Sequence, residues 1–186
     1  MALQLTRRRF AVSEYHQMAQ AGILGEDDRV ELIDGEVTQM TPIGRRHAAS
    51  VIRMTNLFAK TFGDDALVSA QNPVVLGEYS EPQPDLALLR PRADFYASGL
   101  PTPDDILLLV EVAETSADLD RRVKAPLYAR SGIQELWLVD LEADTVTIYR
   151  DPTPSGYGTV RLVRRGEELA PLAFPSRPLP AAAILG

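Results

Sequence analysis

One stretch constrains the fold more than any other. It is Ile106-Leu-Leu-Leu-Val-Glu-Val112, a nearly unbroken aliphatic run with one carboxylate close to its end. A strand with a wet face alternates apolar and polar residues, so a run of this kind marks a central strand covered on both faces. Covering it takes further layers, and the other segments supply them. Ser13 reads as the cap of a helix carrying Tyr15, Met18 and Ala19, with Gly22 ending it. Val30 to Met40 reads as two short strands around Asp34-Gly35, a dipeptide suited to the positive φ angles of a tight hairpin. From His47 to Phe62, the residues Ala48, Val51, Ile52, Thr55, Phe58, Ala59 and Phe62 fall on one helical face.

Apolar runs at Ala66 to Ala70, Val74 to Leu76 and Leu86 to Leu89 add strands before the central one. A helix is expected from about Asp118 to Arg130, stopped by Gly132, with Pro126 imposing a kink or a late start. Leu136 to Val139 and Thr145 to Tyr149 form the final hairpin of the main sheet. This order predicts an α/β fold, a mixed central sheet flanked by helices. We expect one domain over residues 1–150. Residues 151–186, rich in Pro and Gly with a strand at Thr159 to Val163, form a small β-rich C-terminal extension, peripheral but packed on the same domain. No run is long enough to cross a bilayer, and the opening MALQLTRRRF is no signal peptide, which predicts a cytoplasmic protein without membrane partners.

What the chain lacks narrows its chemistry. With no cysteine and only His16 and His47, thiolate nucleophiles, Cys-ligated zinc and three-histidine metal sites are excluded. There is no phosphate-binding GxxxxGK[ST] loop and no GxSxG elbow. Carboxylates and lysine remain, and the lysines are Lys60 and Lys124. The net charge of −7 argues against a protein that grips nucleic acid by bulk electrostatics. Cations neutralising an acidic site, and local arginine clusters such as Arg7 to Arg9 or Arg121 with Arg122, would meet that objection.

Asp85 begins the strand Leu86 to Leu89, and Glu111 interrupts the most apolar strand. An ionised carboxylate there is costly unless a cation or strong donors meet it. Mg²⁺ or Mn²⁺ held by the two carboxylates and water would do so. Equally, Glu111 could lie at an exposed strand end while Asp85 caps a turn; spacing alone leaves both readings open.

The pair Pro84-Asp85, followed by a strand ending Glu111-Val112-Ala113, resembles the signature of the PD-(D/E)xK (restriction-endonuclease-like) nuclease superfamily. The flanking text is similar to a large bacterial branch of it, often labelled restriction endonucleases. The matching stretches are Val30-Glu-Leu-Ile-Asp-Gly-Glu36, Pro84-Asp-Leu-Ala-Leu-Leu89, Leu109-Val-Glu-Val112, Lys124-Ala-Pro-Leu-Tyr-Ala-Arg-Ser-Gly-Ile133 and Glu135-Leu-Trp-Leu-Val-Asp140. With their flanks, the resemblance covers roughly Phe10 to Arg150. The resemblance implies a restriction-endonuclease-like core and metal-dependent cleavage of phosphodiester bonds in DNA, with Asp85 and Glu111 holding the metal. It also implies an auxiliary acid at Glu31 and a working homodimer. One departure matters: the superfamily places lysine where this chain has Ala113. The small alanine leaves space beside Glu111, and the resemblance implies that Lys124, from the next helix, fills the role. Read alone, Lys124 is a solvated helix lysine beside Asp120. Asp34 and Glu36 read as turn and surface residues. His47 could contact phosphate or assist proton transfer, though its pattern favours a structural histidine beside the apolar face. Trp137 and Tyr149 read as core. The alternative to an enzyme is a catalytically silent module keeping the nuclease fold.

Overall fold

In the computed structural model, which describes residues 7–25, 27–114 and 120–186, the aliphatic run becomes β5 (Ile106–Ala113), the third of six strands. The sheet order is β3 (Leu67–Ala70), β4 (Leu86–Leu89), β5, β6 (Glu135–Asp140), β7 (Thr145–Thr153) and β8 (Gly156–Arg164). Only β5 and β6 run parallel; the other neighbours are antiparallel. Parallel neighbours need a crossover, and the segment between them carries a helix.

Each face of the sheet has its own apolar layer. Even-numbered β5 residues Leu108, Val110 and Val112 pack with Val51, Met54, Phe58 and Phe62 of α2 (Arg45–Phe62). On the opposite face, Ala87 and Leu109 join Ala125, Leu127 and Tyr128 of the short α3 (Ala125–Arg130). Alternation along β5 therefore puts Glu111 on the α3 side. The α2 face that packs is rotated from the expected one: Met54 is fully buried, whereas Ile52 is 70% exposed.

The hairpin β1 (Val30–Ile33) and β2 (Glu36–Gln39) forms a separate two-stranded sheet. Its turn takes positive φ at Asp34 (51°) and Gly35 (81°), the requirement that made Asp-Gly readable. The hairpin is tied to the segment before β4 by Glu81 N–H donating to Leu32 O (2.8 Å) and Leu32 N–H to Glu81 O (3.2 Å). β4 and Glu31 are thereby held in one frame.

Four expectations need correction. The first helix, α1 (Val12–Gln20), begins one residue before Ser13; Ala11 is its N-cap, and Glu14 accepts the Ala11 N–H at 3.0 Å. Val74 to Leu76 is buried but not a strand, because its N–H groups donate to Pro82, Pro101 and Ser80 carbonyls in loops. The helix expected from Asp118 starts outside the described residues; from Asp120 to Lys124 it is a π-turn, and α3 follows with Pro126 in its first turn. The C-terminal segment is not peripheral. β7 runs through the division expected at residue 150, β8 pairs along it, and α4 (Ala181–Leu185) buries Ala181, Ile184 and Leu185 in the α2-side core. A text rich in Pro and Gly, residues that read as turns, disguised this integration. Strands β9 (Glu168–Leu169) and β10 (Leu179–Pro180) pair to bring α4 back. Among the described residues, no helix is long and apolar enough to cross a membrane.

Candidate active site

β4 and β5 are antiparallel with Leu86 opposite Val110, so the residue preceding β4, Asp85, comes level with Glu111. Both lie on the α3 side, and both line a cavity of about 260 Å³ together with Glu31, His47, Asp120 and Lys124. Glu31 arrives from β1. Lys124 comes from the end of the π-turn, a wider helical turn that recurs at functional sites. Pro126 has no N–H to donate to an earlier carbonyl, so it is accommodated as the α-helix begins.

Lys124 bridges the two glutamates. Its Nζ lies 3.2 Å from Glu111 Oε1 and 3.3 Å from Glu31 Oε2, with only 7% of the residue exposed. This is not the solvated lysine that the sequence alone suggested. The Tyr128 hydroxyl donates to the same Glu111 Oε1. Gln83 N–H donates to Glu31 Oε2 at 3.0 Å. Asp85 is gripped on both oxygens: Val112 N–H donates to Oδ2 at 2.8 Å, and His47 Nε2 lies 2.9 Å from Oδ1. His47 Nδ1 is buried without a hydrogen-bond partner among the described residues. Glu111 is therefore neither at an exposed strand end nor unmet, and Asp85 braces β5 instead of capping a turn.

Electrostatics follow from this burial. Desolvation pushes the Glu111 carboxyl up to about 8, with Asp85 and Asp120 adding to the rise while Lys124 and the Tyr128 hydrogen bond oppose it. Burial also acts against the charged form of Lys124, but Glu111, Glu31, Asp120 and Asp85 together outweigh it and hold the ammonium above its ordinary range. Lys124 is thus charged at neutral pH. His47 is raised first by its hydrogen bond to Asp85, against an opposing effect of burial.

Tyr128, Gln83 and the link from His47 to Asp85 were missed at the level of sequence. Tyr128 had a signal: it stands four residues after Lys124, the spacing that shares a helical face. The Gln83 contribution is a backbone N–H, which no side-chain pattern announces. Asp34 sits in the exposed hairpin turn, paired with Arg130, and takes no part in the cavity. Trp137 is fully buried and donates to Glu135 at 2.9 Å, which leaves no face for a base. Tyr149 is half-buried and packs on Tyr157.

Among the described residues, no three His, Asp or Glu side chains form a ready metal cage. A hard divalent cation needs less, because Mg²⁺ commonly takes one or two carboxylates and fills its other positions with water. Asp85 and Glu111, level on adjacent strands beside a cavity with room for several waters at roughly 30 Å³ each, fit that donor set.

A family model described as "Putative restriction endonuclease", Uma2, matches residues 12–182. The chain belongs to the Uma2 family. That span takes in every element from α1 into α4, including the C-terminal segment. The crystal structure of "a putative nuclease belonging to DUF820" from Anabaena variabilis superposes with a TM-score of 0.72, covering 95% of this chain and 97% of that one. At 16% identity the likeness speaks for the fold, which is that of the α/β nuclease neighbour. No curated protein matches the chain.

Proposed function

We propose that this Uma2 protein is a metal-dependent endonuclease that hydrolyses phosphodiester bonds in DNA. The observation carrying this reading is the convergence of Glu31, Asp85, Glu111 and Lys124 from four separate segments on one cavity. Asp85 and Glu111 would hold Mg²⁺ or Mn²⁺, which supplies Lewis-acid polarisation of the phosphate and easier ionisation of water. Val112 N–H and His47 keep the Asp85 carboxylate oriented. Lys124 donates to the charge that builds on the phosphoryl oxygens as water attacks phosphorus and the bridging P–O bond breaks. Glu31 orients the attacking water, whose proton passes to solvent as the new P–O bond forms. The leaving oxygen takes a proton from solvent. The net charge of −7 is met locally by Lys124 and by Arg29 at the cavity wall.

One feature favours a second reading. Each acid already has protein donors, as a silent module stabilised by an internal ion-pair cluster would have. Cation binding and DNA cleavage separate the two. The wild-type chain should bind Mn²⁺, raise its Tm with it, and nick plasmid DNA. Asp85→Ala and Glu111→Ala should lose the Tm response and the nicking while remaining folded. Lys124→Ala should keep the Tm response and lose the nicking, since lysine is no metal ligand; Lys124→Arg should rescue little, because a planar guanidinium cannot replace the ammonium between two carboxylates. A wild-type chain indifferent to Mn²⁺ and inert on DNA would establish the silent module.

A further inference from the structure

Two donors from one helical segment meet Glu111, and both fall on the same oxygen. Lys124 Nζ and the Tyr128 hydroxyl each reach Oε1, while among the described residues no donor meets Oε2. The two donors differ in kind. Tyr128 is fully buried in the α3-side core, a rigid ring on two torsions. Lys124 is an ammonium on a flexible four-carbon stem, positioned at the cavity wall. A lysine that turns toward a phosphate must release its carboxylates, and a buried carboxylate that loses all its donors is free to rotate and costly to keep charged.

We propose that Tyr128 is the positioning residue for Glu111: its hydroxyl pins Oε1 in the core, leaves Oε2 for the cation, and keeps that orientation when Lys124 departs toward substrate. A tyrosine at a fully buried position requires a partner for its hydroxyl, and the carboxylate of Glu111 is that partner. The arrangement divides the labour between a fixed donor and a movable one. Lys124 at the end of the π-turn and Tyr128 one turn on present both donors to one atom.

This inference rests on the metal-dependent reading above, and calorimetric titration with MnCl₂ alone tests it. Tyr128→Phe keeps the ring and removes the hydroxyl. Its Mn²⁺ affinity should fall ~10-fold, the lower end for loss of a group that orients a metal ligand. Replacing Tyr128 with p-aminophenylalanine, which still donates, should restore most of the affinity, and this holds whatever Tyr128→Phe does to stability. In a Lys124→Met background the Tyr128→Phe loss should grow, because Lys124 no longer shares the task. A Tyr128→Phe protein that binds Mn²⁺ as the wild type does, with only its Tm lowered, would make Tyr128 a packing residue and overturn the proposal. So would p-aminophenylalanine binding no better than phenylalanine. Absence of Mn²⁺ binding in the wild type itself is a different failure, which removes the metal-dependent reading and this inference with it.

Discussion

Glu111 sits among aliphatic neighbours yet meets an ammonium and a phenol, and this decides how its proton behaves. In an unfolded chain a glutamate titrates at about 4.3; in the fold, burial pushes Glu111 up to about 8. Between those values the folded chain keeps a proton that the unfolded chain has lost. Stability therefore falls as pH rises through that window. His47, raised by Asp85, pulls in the same direction near neutrality, whereas Lys124 loses its contribution only in alkali. With chelator present, the wild-type Tm should decline from acid to mildly alkaline pH, and Glu111→Gln should flatten much of that slope. An undiminished slope in Glu111→Gln, read by calorimetry across the window, would show that Glu111 is charged throughout. The sequence made Glu111 visible for the same physical reason, because one carboxylate inside an aliphatic run demands an explanation. Tyr128 made no such demand, since an aromatic on a helix reads as core until its hydroxyl is seen to need a partner.

Elements deliver these residues, and the hairpin β1–β2 carries Glu31 on a sheet of its own. Gly35 at its turn has φ 81°, and a Cβ there would stand 2.6 Å from Arg9 Cβ and 3.0 Å from Arg9 Cα. The turn is therefore closed against side chains both by conformation and by the N-terminal segment, which donates Phe10 N–H to Gly35 O at 2.9 Å. Gly35→Ala should cost about 1–3 kcal/mol in urea unfolding, in the range for a strained backbone position. If the hairpin holds Glu31 in place, nicking should fall as well. An alanine variant as stable as wild type would mean that the N-terminal segment simply moves aside. Strand pattern and turn chemistry made this hairpin, β4, β5 and β6 legible. Val74 to Leu76 deceived because burial on a loop and burial on a strand look alike in a short apolar run, and only the partners of the N–H groups distinguish them. The π-turn was half-legible: Pro126 announced an irregularity, but not which one.

The whole molecule is more unified than its sequence. Val163, Leu169, Leu179 and Ile184 are all buried in the α2-side core, so the segment after residue 150 completes the domain. A chain ending at Arg150 would break β7, leave it without β8 and strip the cover from that core. It should show no cooperative melting transition by circular dichroism, while the full chain melts in one step. A truncated chain that melted cooperatively would restore the reading of the tail as an appendage. That misreading has a physical source: a segment rich in proline and glycine reads as turns and loops, and the burial of Leu179 and Ile184 comes from partners distant in sequence.

The position of β8, last in the sheet and late in the chain, also has a consequence in time. Translation proceeds from the N-terminus, so Glu31, Asp85, Glu111 and Lys124 have all been made before the strand that completes their sheet exists. Contacts that join such distant stretches form late in folding. A nascent chain would hold all four side chains while β7 is still an open edge and the α2-side core still lacks the cover of α4.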